Sequence, residues 1–211
     1  ARGPGRLVKP SVLANQQAKA QPASVEHHCA LAGIAAGDEI AALVEDLMSL
    51  SRIEAEKHDL PRETIDLSAI ARGIARDVAS INGGERLTFS GDDNPVSIVG
   101  ERSQIDQLLR NLVDNAIKYG NADAPVAINI ATRQTKAILT VSDQGPGIES
   151  EHLPLLTRRF YRTDPGRSRA SGGTGLGLAI VKHIVERHRG DLSVASKVGE
   201  GTTVTVSFPL A

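Results

Sequence analysis

The sequence predicts a two-layer α/β sandwich, one mixed sheet with helices on a single face. Three observations lead there. From residue 60 onward, short runs of alternating apolar residues take turns with longer runs at helical spacing. Two pairs of alternating runs, PVAINIATR with KAILTVSD and DLSVASK with GTTVTVSFP, are joined by short turns and read as hairpins. The helical runs 67–81, 101–119 and 176–189 stop at Asn82-Gly83-Gly84, Gly120 and Gly190, as helices do where a left-handed or open backbone is needed.

In chain order, residues 1–37 are rich in Ala, Gly, Pro, Gln and Arg and hold no sustained period. Pro22 and Gly33 interrupt the short helical stretches ANQQAKA and SVEHHCALAG, so a weakly structured leader is expected. Residues 38–59 carry a helix. Asp38 caps it, Glu39 complements its dipole, and Ile40, Leu43, Leu47 and Leu50 form a 3-4-3 stripe with Ile53 nearby. Two roles fit this stripe: one helix of an interchain bundle, giving a homodimer through 38–57, or a helix docked on its own domain. The third part, 60–211, begins with the strand ETIDL and the helix LSAIARGIARDVASI. RLTFSG and VSIVG are strands around the turn DDNP, followed by the helix ERSQIDQLLRNLVDNAIKYG. After the first hairpin comes a glycine- and arginine-rich stretch, 144–175, then the helix LGLAIVKHIVERHRG and the closing hairpin around Val198–Gly201.

Bulk properties exclude several function classes. With 211 residues and a net charge of −1, nothing global points to nucleic acid or to an anionic membrane. Cys29 is alone, which rules out an internal disulfide and suits a reducing compartment. No apolar run approaches the roughly 18 residues of a membrane span. The start ARGPGRLVKP has no apolar segment behind it and no initiator Met, so part of a longer product is expected.

The chemistry collects in three stretches. SGGTGLGLAIVKH, 171–183, packs four glycines at the entry to a helix, where backbone commonly approaches phosphate. It is not G-x-x-x-x-G-K-[ST], because Lys182 lies inside the helix and His183 follows it, and it does not fit G-x-G-x-x-G either. On helix 101–119, Asn111, Asn115 and Lys118 stand at i, i+4 and i+7, a polar stripe beside the apolar face of Ile105, Leu108, Leu109, Leu112 and Ala116. A carboxamide oxygen is a hard ligand suited to Mg²⁺, and an ammonium one turn on can meet phosphate; a plain solvated face is the alternative. In VSDQGPGI, a strand delivers Asp143 before the turn Gly145-Pro146-Gly147. That carboxylate can accept from the exocyclic amine of adenine over bare glycine backbone, although a simple β-turn has the same sequence. TRRFYRTDPGRSRASGG holds arginines at 158, 159, 162, 167 and 169, which suits either a lid over polyphosphate or an unconstrained loop.

Together and in this order, the stretches resemble the ATP-binding domain of bacterial sensor histidine kinases, over about residues 60–211. NLVDNAIKYG looks like that family's N box, SDQGPGI its first glycine box, RRFYR its F box and GGTGLGLAIVKH its second glycine box; VGEGTTVTVSFP is similar to the closing glycine-box hairpin. The resemblance implies Mg²⁺ on Asn115 with Asn111 beside it, and Lys118 on phosphate. Tyr119 would line the adenine pocket, and Asp143 would bind the adenine amine, supported by Gly145 and Gly147. Thr202 or Thr203 would lie beneath the base. Phe160 and Tyr161 would anchor the lid, Gly173, Gly175, Leu176 and Gly177 would form its hinge and the phosphate-facing helix start, and Arg162 would touch the γ-phosphate. In related ATPases of the gyrase and chaperone kinds a glutamate corresponds to Asn111 and activates water. An amide is no base at neutral pH, so the resemblance implies phosphoryl transfer to histidine with a response regulator downstream.

One motif of the family is missing. The second helix of its dimerisation hairpin is similar to DLMSLSRIE at 46–54, but the phosphoacceptor histidine, which an acid follows, has no counterpart before it. His27 and His28, in VEHHCALAG, lack both the acid and the later Arg-Thr-Pro. A nucleotide-binding module without kinase activity is therefore the first alternative; a hydrolase and a serine kinase on the same ATP fold are others. The reading places the chain in the cytoplasm, with any membrane attachment supplied by a segment outside it.

Overall fold

The computed structural model describes residues 37, 40–53, 55, 63–81, 86–91, 94–163 and 173–211. The expectations for the leader, with His27 and His28, and for Arg167 and Arg169 lie outside the described residues. Glu39–Ala211 form one compact unit. Its elements are helix α1 (residues 40–53), β1 (Glu63–Asp66), α2 (Leu67–Ile81), β2 (Leu87–Gly91), β3 (Ser97–Gly100), α3 (Arg102–Tyr119), β4 (Val126–Arg133), β5 (Lys136–Asp143), a 3₁₀ turn (Leu153–Leu155), α4 (Gly177–Arg187), β6 (Asp191–Lys197) and β7 (Gly201–Pro209).

The main sheet has the order β2-β4-β5-β7-β6. β2 runs parallel to β4 and every other pair is antiparallel, so the sheet is mixed as expected. Alternation assigns its two faces. Val126, Ile128 and Ile130 of β4, Leu139 and Val141 of β5, and Val206 and Phe208 of β7 are buried. They share the core with Ile70 and Ile74 of α2, Leu108, Leu109 and Leu112 of α3, and Ile180 and Ile184 of α4. Each such side chain contributes about 1.5–3 kcal/mol by leaving water. The opposite face carries the cross-strand row Asn129, Thr140, Thr205 and Ser193, small and polar, and among the described residues the buried helix side chains pack on the other face. That is the two-layer sandwich.

Two pairings differ from the expected single sheet. β2 and β3 flank the DDNP turn but do not pair with each other. β3 joins β1 in a separate antiparallel ribbon, Ile65 opposite Ile98, and bridges to Leu210 at the end of the chain. Period two identifies a strand without naming its neighbour. Here Val96 and Ile98 turn into the core, and the Val96 carbonyl accepts the Leu67 N–H at 2.9 Å, drawing β3 to the start of α2 and away from β2.

α1 divides the stripe read from its sequence. Leu50 and Ile53 are buried in the domain's core, with Leu43 packed against it, and Ser49 Oγ donates to Gln107 Oε1 of α3 at 2.8 Å. Ile40, Val44, Leu47 and Met48 form a second apolar stripe, between 42% and 63% exposed. The helix thus docks on its own domain and keeps another apolar face in solvent. Among the described residues, no helix is long and apolar enough to cross a membrane.

His188 closes α4 as a buried neutral imidazole. Its Nδ1 lies 2.7 Å from the Ile184 carbonyl, which makes Nδ1 the protonated nitrogen, and Nε2 accepts the Glu101 N–H at 3.0 Å. Burial pushes its pKa below the ordinary 6.5, against the opposing pull of the Ile184 carbonyl. A base with a depressed folded-state pKa gives its full stabilisation above the unfolded value, and loses it as pH falls below about 6.5. We predict that urea midpoints drop between about pH 7.5 and about pH 5, and that a His188→Gln variant shows a distinctly shallower drop over the same range.

Candidate nucleotide site

The apolar side of α3 is pinned to the sheet, so its polar stripe faces outward at a fixed azimuth. Asn111 and Asn115 are half-buried there, and α4 begins directly above them. A Cβ on Gly177, the first residue of α4, would stand 3.5 Å from Asn111 Oδ1 and 3.5 Å from Asn115 Nδ2. Glycine keeps that gap open. No side chain caps α4 at Leu176, which is fully buried, so its first-turn N–H groups lack a side-chain acceptor beside the carboxamides. Asn111 Nδ2 is buried without a hydrogen-bond partner among the described residues. An uncapped helix start and an orphaned amide facing each other suit an anion with a hard cation.

One turn further along, Lys118 and Tyr119 meet the residues that flank the lid. A Cβ on Gly173 would fall 2.6 Å from Tyr119 Oη, 2.9 Å from Lys118 Nζ and 3.7 Å from Arg162 Nη2. The Lys118 ammonium lies 5.4 Å from the Tyr119 ring centroid. Nε and Nη2 of Arg162 are buried with no hydrogen-bond partner among the described residues. Buried guanidinium donors cost stability until an acceptor meets them, and here they lie beside a second cation.

Asp143 stands at the end of β5, opposite Thr202 of β7. Its Oδ1 accepts the Gly145 N–H at 2.7 Å. Burial raises its pKa above the usual 3.8, and the backbone N–H groups of Gly145 and Thr202 oppose that rise. Gly147 takes a φ of +72°, and a Cβ there would run into the Lys197 carbonyl, so this turn closes against the β6–β7 hairpin only with glycine. Thr202 shares Asp143's face. Thr203, one residue on, points to the other face and bonds Ser142 Oγ at 3.0 Å, so of the two threonines Thr202 is the one that shares a face with Asp143.

The two aromatics expected to anchor the lid differ. Tyr161 Oη is 2.7 Å from His152 Nδ1, tying the segment to the 3₁₀ turn. The Phe160 ring is 56% exposed; what holds this residue is its N–H, donated to the Gly175 carbonyl at 3.0 Å, with Gly175 at a φ of +72°. Two positioning residues escaped the sequence reading. Ser196 Oγ accepts the Ile148 N–H at 2.9 Å, donates to the Gly201 carbonyl at 2.7 Å and touches Thr202 Oγ1 at 2.9 Å, so one hydroxyl joins the Asp143 loop to the hairpin. Arg86 Nη2 donates to the Asn121 carbonyl at 2.9 Å, steadying the exit of α3. The signal for Ser196 was a polar residue at an inward position of β6; Arg86, 31 residues from the Ile117 carbonyl it also reaches, had none.

Comparison with known proteins gives the family. Residues 100–211 match the family described as histidine kinase-, DNA gyrase B- and HSP90-like ATPase. The phosphate regulon sensor protein PhoR of Pseudomonas aeruginosa is 37% identical over 167 residues, 79% of this chain and 38% of its own length. The sensor histidine kinase YkoH of Bacillus subtilis is 39% identical over 166 residues, 79% of this chain and 36% of its own length. The chain thus spans little more than a third of either of these curated relatives. Among solved structures, the mycobacterial sensor histidine kinase MprB has a TM-score of 0.58 at 27% identity, covering 71% of this chain and 97% of that one. ShkA in complex with AMPPNP has a TM-score of 0.73 at 23% identity over 93% of this chain and 41% of that one, a likeness of fold. The chain belongs to the histidine kinase-, DNA gyrase B- and HSP90-like ATPase family, and its relatives there are sensor histidine kinases.

Proposed function

We propose that this chain is the Mg-ATP-binding catalytic part of a sensor histidine kinase, which transfers the γ-phosphoryl group to a histidine. The observation that carries the reading is the uncapped start of α4 over Asn111 and Asn115, with Arg162 donors beside Lys118 that have no partner among the described residues. Phosphates take the α4 N–H groups, and Lys118 and Arg162 draw off their charge. The Asn115 carboxamide, with Asn111 next to it, would hold Mg²⁺, which keeps few protein ligands and when bound neutralises bridging phosphate oxygens. Asp143 accepts the adenine amine, Gly145 and Gly147 bring backbone to the base, Thr202 supports it and Tyr119 lines the pocket. No base stands at Asn111 to activate water, so the phosphoryl group is kept for a histidine supplied from outside the described residues or by another chain.

The same reading gives α1 its second face. Ile40, Val44, Leu47 and Met48 would meet a second copy in a homodimer, and a response regulator would accept the phosphoryl group downstream. The work is cytoplasmic, with membrane attachment left to segments outside this chain. A nucleotide-binding module without kinase activity is the second reading, favoured by VEHHCALAG, whose histidines lack a following acid.

Two experiments test the proposal. Incubation with γ-labelled Mg-ATP, with and without a supplied dimerisation hairpin, is expected to place acid-labile label on a histidine; nucleotide binding with no label on either protein selects the second reading. An Asp143→Asn variant is expected to lose nucleotide affinity at least about tenfold. Its thermal midpoint should rise, because the buried carboxylate's charge is removed while an acceptor for Gly145 stays. Unchanged affinity would remove Asp143 from the adenine site.

A further inference from the structure

α1 reaches the lid hinge through one side chain. Thr174 Oγ1 donates to Asp46 Oδ2 of α1 at 2.6 Å, and the same oxygen accepts the Leu176 N–H at 3.2 Å. A hydroxyl has one proton to give. With that proton committed to Asp46, the oxygen's lone pairs are turned to Leu176, the residue immediately before α4. Between them, Gly175 holds its left-handed turn and its carbonyl takes the Phe160 N–H at 3.0 Å. The turn that leads into Gly177 is therefore held from two sides, by the F-box backbone and by α1. Neither hold is loose: α1 is anchored by Leu50 and Ile53, 3% and 5% exposed, and by the Ser49–Gln107 bond to α3. Asp46 lies between these anchors and the exposed stripe, on the face toward the domain.

We infer that Asp46 is a positioning residue for nucleotide, acting through Thr174 on the turn that sets Gly177 over Asn111 and Asn115, so that docking of α1 and binding of nucleotide strengthen each other. The inference rests on the nucleotide reading above. Coupling of this kind is reciprocal: whatever free energy docked α1 lends to the nucleotide, bound nucleotide returns to the docking of α1. It also gives the exposed stripe of α1 a consequence, since whatever lifts α1 from the domain releases the hinge.

The test is calorimetric titration of the full chain with ADP and with a non-hydrolysable ATP analogue, both with Mg²⁺, alongside urea midpoints. Asp46→Ala and Thr174→Val should each weaken binding about fivefold to tenfold, the low end of known couplings. The double variant should be no worse than Thr174→Val alone, because that variant already removes both the bond to Asp46 and the bond from Leu176. Thr174→Ser, which keeps the hydroxyl, should restore near-native affinity. In hydrogen exchange, nucleotide should slow the amides of residues 43–53 in the native chain and leave them unchanged in Asp46→Ala. Native affinity in both single variants, or losses that add, overturns the coupling; so does a fall in urea midpoint with affinity intact, which marks a purely structural bond. A native chain that binds neither nucleotide overturns the nucleotide reading itself, a result distinct from binding that ignores the substitutions.

Discussion

The packing of α3 against the sheet is the constraint on which the rest depends. Ile105, Leu108 and Leu109 are fully buried and Leu112 nearly so, which fixes the rotation of the helix about its axis. A helix so fixed has no choice about where Asn111, Asn115 and Lys118 point. α4 packs beside it through Ile180, Ile184 and Val185, and its first turn is thereby delivered over the carboxamides. The site is the polar remainder of two helices whose apolar sides are spent on the core. Losing a buried leucine from α3 would cost stability and also the azimuth of every ligand-facing group.

Most of the architecture was legible in the sequence, because it is carried by period and punctuation. Gly120 and Gly190 end helices where they were expected to, and the two hairpins sit on the runs that alternate. What stayed hidden depends on choice of partner. Nothing in VSIVG says that it prefers β1 to β2; burial of Val96 and Ile98 decides that. Nothing in IAALVEDLMSLSRI says which of its apolar residues the domain takes, and the structure takes Leu50 and Ile53 while leaving Ile40 and Leu47 outside. In the site, the strand parity that separates Thr202 from Thr203 could be counted from Asp143 only once the register was known. Ser196, Arg86 and the Asp46–Thr174 bond are joined to distant atoms by single side chains, and local patterns carry no trace of such bonds.

The site also shows where a chain departs from what stability alone would select. Among the described residues, a carboxylate raised in pKa by burial, a guanidinium with unmatched donors and an amide without a partner all weaken the native state. All three belong to residues of the proposed site, but Ser68 Oγ and Arg86 Nε are also buried without a hydrogen-bond partner among the described residues, so an unmatched group does not by itself mark the site.

The sheet topology has a kinetic side. β4–β5 and β6–β7 are hairpins, closed by short turns, and contacts so local form early at little entropic cost. β5 and β7 are neighbours in space but are separated in sequence by the Asp143 loop, the lid and all of α4, and their ladder ends at Asp143 opposite Thr202. Closing that long loop is the expensive step for this half of the domain. Arg162 and the start of α4 lie along it, so they are brought to Asn111, Asn115, Lys118 and Tyr119 of α3 as that ladder closes. Until β7 pairs with β5, Thr202 has no fixed place opposite Asp143, so that wall of the site is completed by a contact between strands far apart in the chain.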